Sequence, residues 1–226
     1  MDGSALVGIV LLWAWGTVAG LDLVSVPQFM VGRPFIVAVV AGAILGDPLA
    51  GARVGIVLEL FALDVLPVGA AGYPDYGAAT MGAVLVAADQ PVVAGLGMGA
   101  ATGLALAALG GWTMPVLRRA NARAIGGRLE LLRTGDSATI RSLQYSGLAR
   151  DSIRSGLLAL FAIGAGLVIR RLPPLEGDAA VALTVAVVGA GLASVLSGAV
   201  RTAGRSGRLR WLALGLVAGG LLAVVW

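Results

Sequence analysis

The chain has no cysteine, no histidine and no lysine. Without Cys or His it has no thiolate or imidazole metal site, no histidine general base and no phosphohistidine of its own. The missing cysteines say nothing about redox compartment. Metal sites built from carboxylates alone remain chemically open, but the acidic residues fall at no recognisable ligand spacing. There is no P-loop, dinucleotide fingerprint or nucleophile motif. The expectation is therefore no catalytic residue, no metal and no cofactor, which argues against an enzyme acting alone.

What is present is apolar surface. Of 226 residues, 58% are hydrophobic and mean hydropathy is +0.95. A soluble domain of this size cannot hide that much apolar surface, so the bilayer is its solvent. Glycine reaches 35 residues, about twice its usual ~7% share. Pairs four apart recur (Gly16/Gly20, Gly42/Gly46, Gly95/Gly99/Gly103), as in membrane helices whose backbones approach closely. The N-terminus lacks a basic leader, so the apolar run after it reads as a retained first helix rather than a cleaved signal.

All sixteen basic residues are arginines, and they are unevenly placed. Residues 1–117 hold two Arg and seven acids, a balance of −5; residues 118–226 hold fourteen Arg and five acids, a balance of +9. The basic half is read as loops on the cytoplasmic side of a membrane rather than as a nucleic-acid surface. Loops at 118–155 and 201–210 then lie inside and the near-neutral one at 172–178 outside.

This divides the chain into three regions. Residues 1–117 form a glycine-rich membrane region. Residues 118–155 form an Arg-rich cytoplasmic loop, expected to carry short amphipathic helices on the membrane surface. Residues 156–226 hold C-terminal transmembrane helices, with apolar runs near 156–172, 179–200 and 211–226. In the first region Ser4 to Leu21 nearly spans a bilayer, ended by Asp22. Trp13 and Trp15 lie mid-run and are expected to pack against protein. Leu23 to Arg33 reads as a connector. Pro34 to Leu45, Val54 to Leu63 and Ala78 to Ala88 are too short to span, whereas Val92 to Leu117 is long enough. The fold class is an all-α polytopic membrane protein, a helix bundle with broken or re-entrant helices in its N-terminal half.

The most informative stretch is Gly46 to Asp75, where Asp47, Glu59, Asp64 and Asp75 sit among apolar residues, glycines, Pro48, Pro67 and Pro74. Carboxylates are costly in hydrocarbon and face a cavity or a partner there, and this mixture suits a broken backbone lining a polar site.

From Arg33-Pro34, through Leu45-Gly46-Asp47 and Leu58-Glu59, to a Gly-x-x-x-x-Pro-Asp turn at Gly69 to Asp75, the run resembles the membrane IIC component of the mannose/fructose/sorbose family of sugar phosphotransferase systems (PTS). Ala19 to Asp22 and Gln28 extend the resemblance upstream, and it covers about residues 6 to 110. It implies a multi-pass protein of the bacterial cytoplasmic (inner) membrane, working in a hetero-oligomer with a IID-like membrane subunit and with IIA and IIB phosphocarriers. The pair would carry a hexose or amino sugar inward for phosphorylation by IIB. The chain is shorter than typical members toward its C-terminus.

A sugar is an array of hydroxyls, so its carrier needs carboxylates and amides that pair with them. Glu59, Asp75, Asp22 and Gln28 are the expected sugar-binding residues, with Asp64 and Tyr73 as weaker candidates. Each also has a structural alternative. Glu59 has no basic residue nearer in sequence than Arg53. Asp75 could cap the helix that follows it. Asp47 reads as a turn former, and Asp64 as an ion-pair partner for Arg53 or Arg33. Two other functions remain open: a sensor or scaffold of the same fold, favoured by the shorter C-terminus, and a carboxylate-based ion or proton carrier.

Overall fold

The computed structural model describes residues 3–63 and 72–202, together with Val217. Asp64, Pro67, Gly69 and, apart from Val217, the expected run at 211–226 lie outside the described residues, as does most of the loop at 201–210. The described residues form helices α1 (Gly3–Asp22), α2 (Pro34–Leu45), α3 (Pro48–Leu63), α4 (Tyr76–Ala87), α5 (Val92–Gly126), α6 (Leu129–Arg133), α7 (Ser137–Ile169) and α8 (Gly177–Thr202). Among them α1, α5, α7 and α8 are long and apolar enough to cross a membrane.

The short elements arise from punctuation. Pro34 starts α2 at the position where a missing N–H costs nothing. Gly46, in the left-handed conformation (φ 83°), ends it by donating to Ala43. Asp47 accepts from Ala50 N–H at 2.9 Å and starts α3, as its reading as a turn former expects. At about 1.5 Å per residue, the 12 residues of α2 rise about 18 Å. That is well short of a ~30 Å hydrocarbon core. Together α2 and α3 make a close-packed hairpin. A Cβ added at Gly42 would lie 2.5 Å from the Asp47 carbonyl oxygen, so only glycine permits this approach.

Helix α4 is equally short, and all 12 of its residues are buried. It is surrounded by α1, α2, α3, α5 and α7. The extended residues before it lie along α5, where Asp75 N–H donates to Ala107 O at 2.9 Å. Ala107 is fifteen residues into α5, about 22 Å from its start, so α4 begins part-way along a membrane-length helix. Trp15 of α1 is half-buried and donates to Val37 O on α2 as expected, whereas Trp13 donates to Gly156 O on α7 but stays 43% exposed.

The basic region differs from the expected surface helices. Residues 118–155 are mostly the extensions of α5 and α7, joined by the five-residue α6 into a long helical hairpin. Arginine is a good helix former, and no proline occurs between Pro115 and Pro173. Pro115 itself lies inside α5 without ending it.

The two ends of the bundle are marked by polar contacts. Ser25, just after α1, donates to Asp151 of α7 near the basic hairpin. At the other end Arg170, after α7, pairs with Asp89, after α4, at 2.7 Å.

Candidate functional site

Four helix ends meet around one cavity of about 480 Å³. Asp22 and Leu23 come from the end of α1, Gln28, Met30 and Gly32 from the connector, and Arg33 and Pro34 from the start of α2. Ala62 and Leu63 close α3, and Tyr73, Pro74, Tyr76 and Gly77 open α4. Two half-helix N-termini therefore border the same space, the arrangement by which discontinuous membrane helices present N–H dipoles to a substrate. The volume falls within the ~300–1,000 Å³ typical of small-molecule sites.

Asp22 is buried and organises the connector. Its two carboxylate oxygens accept from Phe29 N–H at 2.7 Å and Gly32 N–H at 2.8 Å. Between and beside these bonds Gln28 (φ 60°) and Met30 (φ 63°) adopt left-handed backbone conformations. For residues with a Cβ that costs of order 1–3 kcal/mol each and persists only where surrounding structure enforces it. Here Asp22 supplies the enforcement. Gln28 is exposed at the cavity. Gly32 lies flat on α1, where an added Cβ would sit 2.6 Å from Ala19 O.

Glu59 reaches the site through a partner that sequence distance hid. Its Oε1 accepts from Arg33 Nε at 2.6 Å and from Arg33 Nη2, and its Oε2 accepts from Phe35 N–H at 3.1 Å. Glu59 is thus both the counter-ion of a cavity-lining arginine and the N-terminal cap of α2. Arg33 is the site residue the sequence reading placed elsewhere, as a possible partner of Asp64.

Asp75 points away from this cavity. It does not cap α4 with its side chain; it pairs with Arg154 Nη1 at 2.7 Å, both groups buried. Its Oδ1 has no hydrogen-bond partner among the described residues. Tyr73 packs with Met114 and Leu117, and Arg118 lies over its ring at 5.4 Å. The structure thus brings Asp22 and Gln28 together at one cavity, sets Glu59 behind it through Arg33, and places Asp75 in a separate buried ion network.

This architecture can be compared with known proteins. The family model for the sorbose-specific IIC component of the PTS (EII-Sor) matches residues 6–186. The chain belongs to this IIC family. Over 79 residues it is 40% identical to the sorbose-specific EIIC component of Lacticaseibacillus casei, covering 34% of this chain and 28% of that protein. Over 103 residues it is 37% identical to the Klebsiella pneumoniae sorbose-specific EIIC component, covering 45% of this chain and 37% of that protein. The chain thus spans little more than a third of the length of these curated relatives at most.

Two solved structures share this fold. A membrane-protein structure superposes with a TM-score of 0.72 at 22% identity, covering 97% of this chain and 92% of that one. The cryo-EM structure of the mannose transporter ManYZ with microcin E492 gives 0.59 at 22% identity, with the same coverage. At that identity the likeness speaks for the fold alone.

Proposed function

We propose that this chain is the sugar-translocating IIC subunit of a mannose-family PTS in the bacterial inner membrane, working beside a IID-like membrane subunit. In this reading it carries a hexose or amino sugar inward, and a IIB phosphocarrier charged by IIA phosphorylates it. The observation that carries the reading is the cavity where α2 and α4 begin. It combines acceptors, an exposed amide and a guanidinium with apolar walls, as hydroxyl-rich ligands require.

The roles differ among the candidates. Gln28 contacts the sugar directly, since its amide both donates and accepts. Asp22 holds the connector in shape and offers its remaining lone pairs to a hydroxyl. Glu59 fixes the guanidinium of Arg33 at the cavity wall. Asp75 supports the wall formed by the start of α4. In this reading the arginine-rich hairpin of α5 and α7 faces the cytoplasm and the cavity lies in the inner half of the membrane. Translocation then moves the α2–α3 hairpin and α4 against the long helices, exposing the cavity alternately to the two sides. No covalent step is assigned to this chain.

The test is binding. The chain is co-expressed with its IID-like subunit, and a panel of hexoses and amino sugars is titrated against wild type, Gln28→Ala and Glu59→Ala. Saturable binding that both substitutions abolish, in complexes that still assemble, supports the reading. Wild-type affinity in both variants removes the site. No binding of any sugar by a well-folded complex removes the function and favours a sensor or an ion carrier.

A further inference from the structure

Four side chains that do not line the cavity join two of its walls from behind. Arg154 of α7 is buried and donates in several directions. Its Nη1 reaches Asp75 Oδ2 at 2.7 Å and Thr113 Oγ1 of α5 at 3.2 Å, and its Nε reaches Asp151 Oδ1 at 2.9 Å. The other oxygen of Asp151 accepts from Ser25 Oγ at 2.5 Å. Asp75 immediately precedes α4, whose first residues form one wall. Ser25 lies in the connector that forms the opposite wall, three residues before Gln28. Asp75 and Asp151 are each 1% exposed and Arg154 is 9% exposed.

We infer that Arg154 is a positioning residue for the sugar cavity: through Asp75 and through Asp151–Ser25 it sets the separation of the α4 wall and the connector wall. This rests on the cavity being the sugar site. The physical argument is that a buried ionic network tolerates few geometries. Each carboxylate must keep the guanidinium within hydrogen-bond reach, because a buried charge left unpaired is strongly disfavoured. Asp22 and the Arg33–Glu59 pair hold the far part of the connector, but from Val26 to Met30 it is exposed and includes residues in left-handed conformations. Asp22 fixes its local shape, and Ser25–Asp151 fixes its position relative to α7. Since α7 also carries Arg154, a shift of α7 moves both walls together, whereas loss of one link frees one wall.

The two links can be cut separately. Ser25→Ala removes only the connector tie and leaves the ionic groups intact. The expected result is sugar binding weakened about tenfold, the loss of roughly one hydrogen bond to a charged group. It should come with faster amide hydrogen exchange at residues 23–33 and unchanged exchange at 76–87. Arg154→Lys keeps the charge and should restore part of the affinity that Arg154→Gln loses. Exchange in Arg154→Gln should rise at both walls; if that variant does not assemble, Ser25→Ala and Arg154→Lys decide. Wild-type affinity and exchange in Ser25→Ala overturn the inference, and so does an Arg154→Lys complex that binds as tightly as wild type. If no sugar binds even to wild type, the functional reading fails. The exchange pattern then still decides the clamp: faster exchange confined to 23–33 in Ser25→Ala sustains it, and unchanged exchange overturns it.

Discussion

Glu59 holds Arg33 with one carboxylate oxygen and the Phe35 N–H, in the first turn of α2, with the other. One side chain thereby fixes both the cation of the cavity wall and the end of a half-helix. Replacing it with alanine leaves the guanidinium without its counter-ion and a helix-terminal N–H without its acceptor. The stability cost is about 1–3 kcal/mol, small enough for the complex to assemble. Sugar binding should nevertheless be lost, because Arg33 no longer has a fixed direction. Glu59→Gln keeps an acceptor for Phe35 and should bind with intermediate affinity. Titration of the purified complex checks the order wild type, Gln, Ala; equal affinities in all three would detach Glu59 from the site.

Asp22→Asn should behave differently from Asp22→Ala. The asparagine retains one acceptor oxygen, so one of the bonds to Phe29 and Gly32 survives. The alanine loses both, and the left-handed conformations of Gln28 and Met30 lose the contacts that enforce them. Affinity should fall in the order Asp, Asn, Ala, with the alanine variant showing fast hydrogen exchange across 26–32. Uniform affinity across the three would mean that the connector keeps its shape by other means.

The ends of α2 were legible because Pro34, Gly46 and Asp47 act locally, within one turn of the boundaries they set; the apolar run after them reads from Val54, whereas the helix starts at Pro48. Asp22 and Gln28 were legible as polar residues beside an apolar run. The partners were not. Arg33 and Glu59 are 26 residues apart, and Arg154 and Asp75 are 79 apart. Arg154 also stands among seven other arginines between 118 and 155, and nothing local distinguishes the one that is buried. Those same arginines lower the hydropathy of 118–155, which made two long helices read as a surface loop. Polarity marks where a helix leaves the membrane, not where it stops.

Packing around α4 gives a prediction independent of the ligand. A Cβ at Gly82 would lie 2.5 Å from Ala162 O and 2.6 Å from Leu106 Cδ1. The Ala162 carbonyl belongs to α7 and cannot step aside as a flexible side chain would. Gly82→Ala should cost about 3 kcal/mol or more, at the upper end of overpacking penalties. A melting midpoint or a yield of folded complex measures it. Gly164→Ala on α7, where an added Cβ meets nothing within 4 Å, is the control and should be neutral. Equal behaviour of the two would mean that α4 and α7 do not pack this closely in the membrane.

The proposed orientation can be read directly, because the chain has no cysteine of its own. Single cysteines at Ser137, at the start of α7, and at Glu176, just before α8, lie on opposite sides of one membrane-spanning helix, and both positions are exposed. The excess of arginine in 118–155, eight against three acids, predicts that end of α7 to be cytoplasmic. An impermeant maleimide added to intact cells should therefore label Glu176→Cys and spare Ser137→Cys, and lysis should expose the second. The reverse pattern would invert the bundle and open the cavity toward the outer face. The hairpin of α5 and α7 would then lie on the side away from any phosphocarrier, and vectorial phosphorylation through this cavity would have to be abandoned.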